Sequence, residues 1–257
     1  IGYDIDPARI DDLAGTGIQF APSPAAVAEA AERGVVGKVF ESVHIAWIGT
    51  LIGALVSLPL AFLAAGNVAP AWVRVPVRQL FNVIRAVPEL ILAMILIPVT
   101  GLGPWAGALA IGVHSIGTLG KWATEAIEGI DEGPLEAVAA TGGRWASSMR
   151  WGVLPQILPV VTSQWLFRFE INVRASAVLG MIGAGGVGSE LVSQLVFRNF
   201  PAVGAVLFMT IVVVLSIDTV SAAVRRRIIQ GAGRAPGNAT DGDRNAAVLA
   251  DLTGIGR

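Results

Sequence analysis

Apolar runs without a charged residue alternate along this chain with short stretches rich in arginine or glycine. The runs fall at 45–65, at 90–120 with a break from Pro98 to Pro104, at 151–167, at 175–189 and at 199–217. Several approach the roughly 20 residues that an apolar helix needs to cross about 30 Å of hydrocarbon. In that medium the backbone must satisfy its own hydrogen bonds, which favours helices. The pattern therefore predicts an all-α, polytopic transmembrane helical bundle over residues 44–227. Residues 1–43 are expected to form an extracytoplasmic segment and 228–257 a flexible cytoplasmic tail.

Composition agrees with the spans. Hydrophobic residues make up 54% of the chain and charged ones 14%, and the mean hydropathy of +0.68 is far above that of a soluble domain. Glycine, at 31 residues, suits close helix contacts in lipid. A formal net charge of −1 gives no footprint for nucleic acid. Cysteine is absent, which removes disulfides, thiol catalysis and cysteine-ligated metals.

Arginine placement orients the spans. Arg74, Arg78 and Arg85 follow the first run, Arg144 and Arg150 precede the third, and Arg225, Arg226 and Arg227 follow the last. The positive-inside rule makes these three places cytoplasmic and the Pro98 to Pro104 connection external. Residues 1–43, with seven Asp and Glu against three Lys and Arg, then lie outside. An earlier span upstream of Ile1 is expected to bring them there. Trp72 and Trp105 suit anchoring at the membrane interface.

Two short motifs carry chemistry. In the first, Glu136, Ala137, Ala139 and Ala140 favour a short helix that the permissive backbone of Gly142 and Gly143 ends. Arg144 and Arg150 keep this loop, about 128–153, in water. Its small residues would let another protein's backbone approach. The second motif, Gly183 to Gly188, matches GxGxxG after the strand-like run 177–182 and would read alone as a dinucleotide fingerprint. No acidic residue stands about 20 positions beyond it to hold a ribose, and no βαβ pattern surrounds it. A broken membrane segment fits the cluster better. No GxxxxGK[ST] loop occurs, so nucleotide-driven work has to come from a partner.

The runs 50–65, Arg85 to Leu90 and His114 to Lys121 with Glu125 and Glu128, together with Glu136 to Gly142, Leu154 to Pro159 and Gly183 to Gly188, resemble the membrane permeases of phosphonate ABC importers. The resemblance covers about residues 41–227 and implies the type I, methionine-permease-like fold. Glu136, Ala137, Gly142, Leu154 and Pro155 match the family's EAA loop, whereas Val138 and Gly152 depart from it. What the resemblance implies is a coupling helix, with Glu136, Ala137, Ala140, Gly142 and Gly143 docking on an ATP-binding subunit dimer. It also implies a second permease copy or paralogue, and an extracytoplasmic binding protein that delivers the ligand. Transport by alternating access breaks no bond in the substrate, so neither catalytic residues nor a cofactor or metal are expected.

Charged residues within the spans have to face protein, water or the interface. Glu89, Arg168, Glu170, Arg174, Glu190 and Asp218 are of this kind. Arg168 and Arg174 suit charge-assisted bonds to an oxyanion, and with Gly185 and Gly186 they form the expected substrate pathway. His114 is the one histidine inside a predicted span, and Pro59, Pro88 and Pro98 are expected to kink helices or mark their ends. Two rival readings are a secondary transporter or channel independent of ATP and a dinucleotide-binding membrane enzyme.

Overall fold

A computed structural model describes residues 24–144 and 147–232. The expected segment before Pro24 and the expected tail beyond Ala232 lie outside the described residues. Among these, the regular elements are all helical. In chain order they are α1 (Pro24–Ala64), α2 (Ala71–Ala86), α3 (Glu89–Thr100), α4 (Pro104–Glu128), α5 (Gly133–Ala140), α6 (Leu154–Leu179), α7 (Val187–Val196) and α8 (Phe200–Ala232). Two π-helical turns, Ser148–Val153 and Gly180–Ala184, lead into and out of α6.

The centre of the bundle is a parallel pair, α1 and α4, and glycine is what lets them meet. A Cβ on Gly49 would lie 2.6 Å from Ile111 Cγ2, and one on Gly53 would lie 2.5 Å from Ser115 Cβ. Lipid gives little hydrophobic drive for helices to associate, so close packing of small residues takes that role. The offset persists along the pair, for Asn67 Nδ2 donates to Ile127 O at 2.8 Å. Ile45, Ala108, Ile111, Leu179 and Ala184 fill one end of the seam. Ala61, Ala123, Ile127, Val153 and Ile157 fill the other.

Residues 34–64 of α1 and 200–229 of α8 are each long and apolar enough to cross a membrane, and α8 keeps nearly all of that surface outward. Two bent pairs meet the same test jointly: α2 with α3, which turn by 89° at Val87 and Pro88, and α6 with α7, which turn by 54°. Proline removes a backbone donor and disfavours helix in the residue before it, so Pro88 explains the first break.

The first helix starts at Pro24 and runs unbroken through residue 43. Residues 74–85 lie within the amphipathic helix α2. Two expectations change. The runs 151–167 and 175–189 are not separate spans, because α6 passes through Arg168, Glu170 and Arg174 without a break. The reason is pairing: each of those charges meets an opposite charge from another helix, so none has to leave the bundle. The strand-like stretch 177–182 is helical, which removes the strand–turn–helix context that a dinucleotide loop requires.

Candidate functional site: a charged cleft at a broken helix

Three helices meet around one polar seam. Thr50 of α1 donates to Ala46 O at 2.6 Å and accepts from Asn172 Nδ2 of α6 at 2.8 Å. The same amide reaches Ser115 Oγ of α4 at 3.1 Å, and Arg168 Nε donates to that hydroxyl at 3.2 Å. Such bonds stabilise membrane helices by about 0.6 kcal/mol each. Here they also fix the direction of Arg168.

The guanidinium of Arg168 points towards the break between α2 and α3. Its side chain is only 7% exposed, and Nη2 stands 3.7 Å from Glu89 Oε2, beyond hydrogen-bond reach. Among the described residues Nη2 has no hydrogen-bond partner. A buried donor left open costs about 1–3 kcal/mol or more when charged, so its retention calls for an explanation. The site supplies one. Arg168, Glu89 and His114 line a cleft of about 350 Å³ together with Pro88, Leu90 and Ile171. His114 Nδ1 donates to Val87 O at 3.2 Å, across the break. The N-terminus of α3 opens on the same cleft, and the positive end of a helix dipole favours an anion.

The other three expected pathway residues lie elsewhere. Arg174 Nη1 donates to Asp218 Oδ2 of α8 at 2.9 Å, which ties α6 to α8. Gly185 and Gly186, at φ 77° and 75°, form the bend between α6 and α7, where a side chain would be strained. Two residues of α1 cap that bend. Glu41 Oε1 accepts from Gly186 N–H at 3.1 Å, and Ser42 Oγ accepts from Val187 N–H at 2.8 Å. Lys38 holds the other oxygen of Glu41 at 2.7 Å. Sequence reasoning missed Glu41, Ser42, Ser115 and Asn172. Their partners lie up to 145 positions away, and no local pattern marks them.

At the opposite end of the seam, α5 stands clear of the bundle with none of its residues buried. Glu136, Ala137, Ala140 and Gly142 are exposed and Gly143 half-buried. Gly142, at φ 75°, ends the helix in the left-handed region. The two departures from the EAA pattern have local partners. A Cβ on Gly143 would lie 2.6 Å from Val138 Cγ1, and one on Gly152 would lie 3.2 Å from Leu135. Gln156 then holds the base of the loop, accepting from Asp131 N–H at 2.9 Å and donating to Asp131 O at 3.0 Å. Arg78 donates to Ala64 O at 2.8 Å and pairs with Glu128, so α1, α2 and α4 are tied together beside α5.

Apolar and broken helices around a buried cation, with a helical loop exposed at one end, fit a membrane-embedded protein. Residues 57–230 match the family described as binding-protein-dependent transport system inner membrane component, and the chain belongs to that family. By that description, residues 57–230 are those of an inner-membrane component of a transport system. It is 42% identical over 193 residues to the phosphate-import permease protein PhnE of Mycolicibacterium smegmatis, covering 74% of this chain and 36% of that protein. It is 38% identical over 195 residues to the phosphite transport system permease protein PtxC of Stutzerimonas stutzeri, covering 76% of this chain and 71% of that protein. The chain thus spans about a third of the first relative's length. Among solved structures, the inward-facing MetNI methionine ABC transporter superposes with a TM-score of 0.65 at 23% identity, over 74% of this chain and 94% of that one. The fold is therefore that of the type I, methionine-permease-like class.

Proposed function

We propose that this chain is the multi-pass pathway subunit of an ATP-driven importer for phosphate, phosphite, a phosphonate or a related phosphorus oxyanion, in a bacterial cytoplasmic membrane. The observation that carries the reading is Arg168, a buried cation with an unpartnered donor among the described residues, lining a cleft at the start of a half-helix. Discontinuous helices that aim their N-termini at anionic substrates are a recurrent transporter device. The relatives' names supply the ligand class.

In this reading α5 faces the cytoplasm and docks on an ATP-binding subunit dimer through Glu136, Ala137, Ala140, Gly142 and Gly143. Its exposed surface and its tie to α6 through Gln156 support that role. ATP-driven closure of the partner shifts α5, the shift passes to α6, and Arg168 moves with the helix that carries it. A binding protein delivers the anion on the other side, and a second permease copy or paralogue completes the pathway. Arg174, Gly185 and Gly186 hold the helices that frame the cleft.

Reconstitution with the cognate ATPase and binding protein tests the proposal. Uptake of phosphate, phosphite or methylphosphonate should require ATP and should fail in Ala140→Arg, whose exposed side chain would block docking while arginine, a good helix former, keeps the helix formed. Uptake driven by an ion gradient without ATP would instead support a secondary transporter. Normal ligand-stimulated ATP hydrolysis and uptake in the variant would remove α5 from the docking role.

A further inference from the structure

A pathway for anions has an unexpected feature in this protein: one wall of the Arg168 cleft is a carboxylate. Glu89 Oε2 stands 3.7 Å from Arg168 Nη2, too far for a hydrogen bond, and the Glu89 side chain is 28% exposed. Were Glu89 only a counter-charge for Arg168, closer and better aligned contact would be expected, as in the 2.9 Å pair of Arg174 and Asp218. Both residues line the same 350 Å³ space, with Arg168 Nη2 itself buried and without a hydrogen-bond partner among the described residues. The other charged or titratable groups near Glu89 are Arg85, at the end of α2, and His114, on α4.

A carboxylate can only accept hydrogen bonds. An oxyanion that keeps a P–OH hydrogen can donate it to Glu89 while its remaining oxygens accept from Arg168 and the α3 N-terminus. Sulfate has the same shape but carries no hydrogen near neutral pH. It would set two bare oxygens against the carboxylate, and like charges in a poorly solvated site repel strongly. We propose that Glu89 is the specificity-determining residue of the cleft: it admits oxyanions that carry a P–OH and rejects fully ionised ones such as sulfate. This rests on the oxyanion reading of the cleft and adds a filter within the membrane to whatever choice a binding protein makes. A site built to receive a hydroxyl donor rejects analogues lacking it far more strongly than one relying on shape.

The test uses the full chain in lipid nanodiscs, without a binding protein, and inorganic phosphate as the probe. Line broadening of the phosphate 31P resonance reports binding, read at one fixed pH so that His114 is the same throughout. In wild type, methylphosphonate should displace phosphate and sulfate should need at least about a tenfold higher concentration. Glu89→Gln should let sulfate compete as methylphosphonate does, and Glu89→Asp, which keeps the carboxylate, should restore the exclusion. Equal competition by sulfate in wild type overturns the filter, as does exclusion that survives in Glu89→Gln. Failure of the underlying reading looks different: phosphate broadening would be absent in wild type, or would persist unchanged in Arg168→Gln.

Discussion

Arg168 and Arg174 sit six residues apart on one helix, inside a protein of a membrane-transport family, and they differ in almost every respect except residue type. Arg174 is half-exposed and closes a 2.9 Å hydrogen bond to Asp218. Arg168 is buried, has one donor with no hydrogen-bond partner, and faces a carboxylate at 3.7 Å. Low dielectric makes a satisfied pair rigid and an unsatisfied charge costly. The satisfied arginine therefore reads as a strut, and the unsatisfied one as a group kept ready for something that comes and goes.

The contrast fails most visibly if both arginines matter equally to transport. Arg168→Gln should lower uptake by about a hundredfold, about 2.7 kcal/mol, near the upper end of the range for one charge-assisted bond. Arg174→Gln should stay within about threefold, as expected for a half-exposed pair. Initial rates of radiolabelled phosphate uptake, normalised to membrane-inserted protein, decide the matter. Matching losses would end the distinction.

Glu170 sharpens it from the other side. Its side chain is 6% exposed, and Oε1 lies 3.0 Å from Nη2 of Arg225 on α8 as an ion pair without hydrogen-bond alignment; the Arg225 side chain is 24% exposed. Glu170→Gln strands that arginine, and breaking a buried pair is destabilising. Partial access to water at Arg225 should reduce the cost to about 2 kcal/mol, below the range usual for fully buried pairs. Thermal unfolding in detergent should show the loss, while uptake per folded molecule stays near wild type. A transport defect without a stability defect would move Glu170 into the pathway.

The cap on the glycine bend is a satisfied group of smaller consequence. Ser42→Ala leaves the Val187 N–H without its acceptor, a loss of about 1 kcal/mol for a helix cap. Hydrogen exchange at the start of α7 should quicken, with little change around Arg168. Faster exchange throughout α6 would show that the bend and the cleft move together.

The same contrast explains what could be seen in the sequence. Hydropathy located α1, α3, α4 and α8 because their lipid-compatible runs are continuous. It divided α6 in two because Arg168, Glu170 and Arg174 look like a break when their partners on α3 and α8 are unseen. The residues of the α5 turn were legible since Gly142 has a local task, ending a helix. Arg144 and Arg150 also marked the loop as lying in water. Arg168 was singled out with Arg174 by charge alone. Only the positions of Glu89, Ser115 and Asn172 separate them, and those depend on helix packing that no local pattern encodes. The GxGxxG cluster misleads for the same reason, as its glycines serve a bend capped from α1.

The smallest expected effect is the most direct measure of Arg174 as a strut. With the two side chains 48% and 35% exposed, their attraction is screened and partly offset by side-chain entropy, so the coupling should be about 0.5–1 kcal/mol. A double-mutant cycle with Arg174→Gln and Asp218→Asn isolates that term, since each substitution keeps a polar side chain while removing one charge. Thermal unfolding of wild type, both single variants and the double variant gives the coupling. The double variant should recover part of the stability lost in each single one, because it leaves no lone charge behind. The same cycle read by uptake should show no coupling, for neither residue touches the ligand in this reading. A coupling visible in uptake and absent in stability would mean that α6 and α8 separate during transport, and that the pair works as a latch.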